Sequence, residues 1–173
     1  KIKLKDQNII YKKDNNDKKF LITIGIPTYH RNTLERALIS LSKQTFRRFR
    51  VIVSDNAGYS SETLKVVKKV SQKMPSIYLI AQEHNIGAIG NLSFLLNCTL
   101  TKYFMWLADD DEISNNYLET LFQILEREPK AISAMGSWKK MSNSHQGITI
   151  NNTNYSSYLG RIIHFIAGSQ KTK

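Results

Sequence analysis

Tyr103-Phe104-Met105-Trp106-Leu107-Ala108-Asp109-Asp110-Asp111-Glu112 passes from five apolar residues to four carboxylates across a single alanine. The apolar half reads as a strand covered on both faces, the kind found inside a parallel sheet. Carboxylates crowded at the mouth of such a strand repel one another unless something positive sits among them. Hard oxygens suit Mg2+ or Mn2+, and such an ion is at home with a phosphate beside it. The same residues also suit a solvated acidic turn that caps the next helix.

The same alternation runs outward along the chain. Residues 20–26 form a short, nearly all-apolar run that Pro27 ends. Leu34, Ala37, Leu38 and Leu41 then recur at helical spacing up to about Gln44. Residues 50–54, 77–81 and 103–107 read as further strands, and 131–136 as a fifth. Leu64, Val67 and Val70, then residues 89–98, then Leu118, Leu121, Phe122 and Leu125 mark the helices between them. Strand and helix in regular turn predict a doubly wound, mostly parallel α/β sheet with helices on both faces. Residues 1–19, rich in lysine and asparagine, read as a basic lead-in rather than a core element, and 20–138 as the sheet domain. Residues 141–154 read as a loop and 155–166 as one more helix, so 139–173 forms a separate tail region.

In such sheets, ligands bind at the carboxyl ends of the strands. The polar clusters sit there: residues 28–32, Asp55 with Asn56, residues 82–85, and Asp109 to Asp111. After the first strand, backbone amides with Thr28 and Arg31 can receive phosphate oxygens, while Asn32 or Thr33 can simply cap a helix. Asp55 can accept from a base N–H or a ribose hydroxyl; equally, Asp55 or Asn56 can only shape a turn. Asn85-Ile86-Gly87-Ala88-Ile89-Gly90-Asn91 opens a helix with two glycines and two amides, which permits close approach of an anion. It lacks the lysine-serine/threonine ending of a P-loop. His84 has no second ligand at metal spacing.

Composition narrows the classes. A chain of 173 residues with 41% hydrophobic and 23% charged residues is that of a globular domain. No stretch approaches the roughly 20 apolar residues of a membrane span. The lone Cys98 excludes an internal disulfide, fits a reducing compartment and reads as packing. The net charge of +11 suits nucleic acid, anionic lipid or a polyphosphate substrate. No nucleic-acid module accompanies it, so the cations read as a solvated surface that also tolerates an anionic membrane, and no nucleic-acid partner is expected.

Taken in order, these motifs resemble family 2 glycosyltransferases, inverting nucleotide-sugar enzymes of the Rossmann-like GT-A fold. The matching stretches are Ile24-Gly25-Ile26-Pro27-Thr28-Tyr29-His30-Arg31, Leu34 to Thr45, Val51-Ile52-Val53-Ser54-Asp55-Asn56, Asn85 to Asn91, and Trp106 to Asp111. The resemblance implies that Pro27, Thr28, Tyr29 and Arg31 form the first nucleotide-contacting loop. It implies that Asp55 reads the base, commonly uracil, and that Asn85, Gly87 and Asn91 flank ribose and phosphates. It places Asp110 at the metal-binding aspartate of the family's DxD motif. Asp111 is a second ligand beside it, and Asp109 stands on the nucleotide side. Three departures stand out: His30 replaces the usual Asn, Ala108 replaces the usual first aspartate, and residues 58–63 replace the familiar segment after Asp55.

What the resemblance implies is transfer of a sugar, with inversion, from a nucleotide-diphosphate donor, a UDP-sugar, to a glycan or lipid-linked acceptor, assisted by Mn2+ or Mg2+. The expected setting is cytoplasmic, at the inner face of the cell membrane, in surface polysaccharide synthesis. No Asp or Glu follows Glu128, so no catalytic base is named. The chain is therefore expected to be the donor-binding half of a transferase. The alternatives are an inactive nucleotide-sugar-binding module and a basic membrane-surface domain.

Overall fold

The computed structural model describes residues 3, 7–14, 19–99 and 101–137. Residues 1–132 form one compact unit. Its elements are β1 (Ile9–Lys13), β2 (Ile22–Thr28), α1 (Leu34–Ser42), β3 (Phe49–Asp55), α2 (Ser61–Ser71), β4 (Ile77–Ala81), α3 (Gly87–Asn97), β5 (Tyr103–Trp106) and α4 (Tyr117–Arg127). The strands lie in one sheet in the order β1-β4-β3-β2-β5. All neighbours are parallel except β1, which runs antiparallel to β4. The fold is mixed α/β, with a central sheet and helices on both faces.

Period-two patterning divides the core between those faces. Ile24, Ile26, Val51, Val53 and Leu79 meet Leu38 and Leu41 of α1, Val67 of α2 and Leu118 of α4. Ile52, Tyr78 and Ile80 point the other way, onto Phe94, Leu95 and Cys98 of α3. Burial pushes the Cys98 thiol up to about 11, so it is an inert packing group. Gly25 lets this side close. A methyl group there would lie 2.9 Å from the Phe104 ring and 3.0 Å from Leu95 Cβ.

Two expectations from the sequence are corrected. Part of the segment read as a lead-in is a strand: Ile9–Lys13 pairs with β4, with a bulge between Ile9 and Tyr11. Lys13 Nζ donates to the carbonyls of Ser71, Gln72 and Met74 at 2.8, 3.0 and 3.2 Å. A cation thereby meets the negative end of α2. The fifth strand expected at 131–136 does not form. Its only large apolar side chains, Ile132 and Met135, are 74% and 52% exposed, so no burial drives pairing there. The loop and helix expected at 141–154 and 155–166 lie outside the described residues.

The sheet order positions the site. The chain runs from β2 outward through β3 to β4, then returns to place β5 on the other side of β2. The loops leaving β2 and β5 therefore diverge at a topological switch point, where open α/β sheets bind ligands.

Candidate functional site

One hydrogen bond crosses the switch point. Thr28 Oγ1, at the end of β2, donates to Asp109 Oδ2 at 2.7 Å, and both residues are buried. Behind Asp109 the chain turns, with Asp111 N donating to Ala108 O at 3.2 Å. The turn faces Asp109 inward and leaves Asp110 and Asp111 exposed. Asp110 stands 3.8 Å from Arg31, and Glu112 takes the guanidinium of Arg36. α4 starts only at Tyr117, with Asn116 at its cap, so the triplet is not a helix cap.

The charges of this turn are poorly matched. Burial pushes the Asp109 carboxyl above the ordinary carboxylate range; the Thr28 bond and Arg31 oppose this and Asp110 adds to it. Asp111 is raised as well, by partial desolvation of its carboxyl and then by Asp110 and Asp109. Its surface is nevertheless open to an ion.

The back of the acidic loop is bolted to α1. Ile113 N donates to Ser40 Oγ at 3.2 Å. Gln44, buried, donates to Ser114 O at 2.7 Å and accepts from Leu118 N at 3.1 Å. Gln44 therefore carries a structural task that its position near the end of an amphipathic helix did not reveal. A buried amide on the apolar side of a helix is the signal for such a role.

Asp55 ends β3 and is 2% exposed. Its Oδ1 accepts from Ala57 N at 3.1 Å, while its Oδ2 is buried without a hydrogen-bond partner among the described residues. Asn91, on α3, donates to Ser54 O at 3.2 Å, and its Oδ1 is likewise buried and unpaired. Buried polar atoms are nearly always satisfied, so two orphaned acceptors at one sheet edge suit a ligand that donates. Gly87 holds φ +75°, which a side chain would strain. Asn56, read above as a turn residue, links this loop to the first one through the bonds described below.

Pro27 is part of β2, and Tyr29 follows it as a half-exposed ring. Thr33 sits at the α1 cap position but makes no side-chain capping bond. His30 adopts φ +50°, a left-handed conformation that Asn and Gly tolerate better than His. Its ring meets Tyr29 edge-on, with centroids 4.5 Å apart. Replacing His30 by Gly is expected to raise unfolding stability by roughly 0.5 kcal/mol, the αL relief less the entropy of glycine. Urea titration reads it, and a loss of stability would show that the ring contact dominates.

The sequence model for Glycosyl transferase family 2 matches residues 23–170. The chain belongs to glycosyltransferase family 2. It is 28% identical over 119 residues to an uncharacterized glycosyltransferase of Haemophilus influenzae, covering 68% of this chain and 36% of that protein. It is 32% identical over 104 residues to the GalNAc(5)-diNAcBac-PP-undecaprenol beta-1,3-glucosyltransferase of Campylobacter jejuni, covering 59% and 33%. The chain thus spans about a third of the length of these curated relatives. S. aureus TarS 1-349 in complex with UDP-GlcNAc superposes with a TM-score of 0.56 at 22% identity, over 64% of this chain and 32% of that one. That likeness confirms the GT-A fold.

Family 2 chemistry implies a divalent cation, and the turn can be tested for it. Among the described residues no three His, Cys, Asp or Glu side chains gather into a ready-made cage. A Mg2+-like ion, however, needs only one or two carboxylates when substrate phosphates and water fill its other positions. Exposed Asp110 and Asp111 offer those oxygens, and a nearby cation would offset first the desolvation and then the mutual repulsion that push Asp109 and Asp111 upward. The donor set fits a cation shared with a diphosphate.

Proposed function

We propose that this chain is the donor-binding half of a family 2 glycosyltransferase that takes a UDP-sugar and passes the sugar, with inversion, to a glycan or lipid-linked acceptor. The observation that carries the reading is the Thr28–Asp109 bond at the switch point, which draws the first loop and the acidic turn into one crevice. The Campylobacter relative's name describes a glucosyltransferase with a lipid-linked acceptor, and TarS binds UDP-GlcNAc; both support it.

The residues divide the work. Asp55 Oδ2 accepts the base N–H, the role its unpaired state suits. Asn85, Gly87 and Asn91 flank ribose and diphosphate, and Pro27, Thr28 and Tyr29 shape the opposite wall. Arg31 leaves Asp110 for the diphosphate. The exchange costs little, because an exposed pair at 3.8 Å contributes at most about 1 kcal/mol. Asp110 and Asp111 would hold Mn2+ or Mg2+, which supplies charge neutralisation of the diphosphate leaving group. In the transfer, the acceptor oxygen bonds the anomeric carbon as its bond to the diphosphate oxygen breaks, and the acceptor hydroxyl gives its proton to a base.

Calorimetry with UDP, with and without Mn2+, tests the reading. UDP is expected to bind, more tightly with Mn2+, and Asp110→Ala is expected to remove that gain. No binding, or a gain untouched by the substitution, would overturn it. Transfer of radiolabelled sugar then separates an enzyme from an inactive nucleotide-sugar binder.

A further inference from the structure

Asn56 is 4% exposed, and its backbone N–H and both ends of its side-chain amide are hydrogen-bonded. Its backbone N–H donates to Thr28 O at 2.9 Å, tying it to the first loop. Its Oδ1 accepts from Ile86 N at 3.0 Å, so its other terminal atom is the nitrogen. That Nδ2 donates to Asn85 Oδ1 at 2.8 Å and approaches Gly87 O at 3.4 Å. Gly87 N donates to the same Asn85 Oδ1 at 2.8 Å. Backbone N–H groups only donate, so two of them fix which atom is oxygen in each carboxamide. Asn85 is exposed, and its remaining atom, Nδ2, has no protein partner among the described residues.

We propose that Asn56 is a positioning residue: it holds the Asn85 carboxamide so that its NH2, not its oxygen, meets ribose or diphosphate oxygens of the donor. The proposal rests on the donor-binding reading above. The direction of the bonds is the reason Asn is required at position 56. An aspartate there keeps the bond from Ile86 N but cannot donate to Asn85. The Asn85 amide then turns, gives its NH2 to the new carboxylate and presents an oxygen to the anionic ligand.

The test is a double-mutant cycle on the full chain, with UDP affinity read by calorimetry and stability by thermal unfolding. Asn56→Asp is expected to weaken UDP binding about tenfold, the effect of losing a hydrogen bond to a charged group. In an Asn85→Ala background the same change is expected to add less than about twofold, because both act through one amide. The neutral Asn56→Ala should give the same pattern, which separates positioning from added charge. The fall in melting temperature caused by Asn56→Ala should appear in both backgrounds, since the bond from Ile86 N that it removes does not depend on Asn85. Binding losses that multiply, or UDP affinity unmoved by Asn56→Asp, would overturn the assignment while leaving the donor site intact. Failure of the wild-type chain to bind UDP would overturn the donor reading and this inference with it.

Discussion

Asp55→Asn is expected to lower UDP affinity by roughly a hundredfold while leaving the fold at least as stable. The binding loss combines two effects, each worth about tenfold: a charged acceptor disappears, and an NH2 donor faces the base N–H. The fold is spared because Oδ1, which accepts from Ala57 N, is reproduced by the asparagine oxygen. The free chain also loses a buried carboxylate oxygen that has no partner, and burying a neutral amide costs less than burying charge. Calorimetry and thermal unfolding of the same samples read both sides. UDP methylated at N3, which lacks the donor proton, is the matching ligand and should bind the wild-type chain poorly. If Asp55→Asn binds UDP like the wild type, the orphaned oxygen does not read the base.

The parts of this fold that were legible in sequence are those where one-dimensional periodicity maps directly onto burial. β2, β3 and β4 are nearly continuous apolar runs because both of their faces are covered, and each ends abruptly in polar residues. β1 was not legible. It is a half-buried edge strand whose partner lies some seventy positions along the chain, and its last residue works as a cation at the end of α2. A lysine-rich stretch shows neither fact. The opposite error, at 131–136, came from small residues that permit a strand but bury nothing.

The same limit applies inside the site. The alternation of elements placed the polar clusters at strand ends, but only the sheet order sets β5 beside β2 and so Asp109 beside Thr28. The resemblance singles out Asp110 as the metal ligand, but nothing in the run of three aspartates says which is buried. The turn from Ala108 to Asp111 makes one of them buried and two exposed. Asn56 and Gln44 are residue types that usually decorate turns and helix ends, and only burial with directional bonding marks them as structural.

Asp109→Asn is expected to strengthen the free chain and weaken cation-dependent donor binding, in opposite directions for one cause. Burial raises the Asp109 carboxyl above its ordinary value of 3.8, so the folded state holds its proton to higher pH than the unfolded state does. Stability then falls as pH climbs from that ordinary value through the raised one, and the loss persists above it. Asparagine escapes that loss, and the Thr28 hydroxyl can donate to its oxygen in place of Oδ2. The variant should therefore match the wild type in acid and exceed it at neutral pH, as followed by urea unfolding across the range. Mn2+-dependent gain in UDP affinity should drop by about tenfold, the scale of one lost charge beside a bound ion. In the wild type that gain should fade as pH falls through the raised values of Asp109 and Asp111, because protons then compete with the cation. A variant less stable than the wild type at neutral pH would show that the ionised Asp109 is a net clamp between β2 and β5. Its place in the crevice would then be structural, with Asp110 and Asp111 left to face the donor.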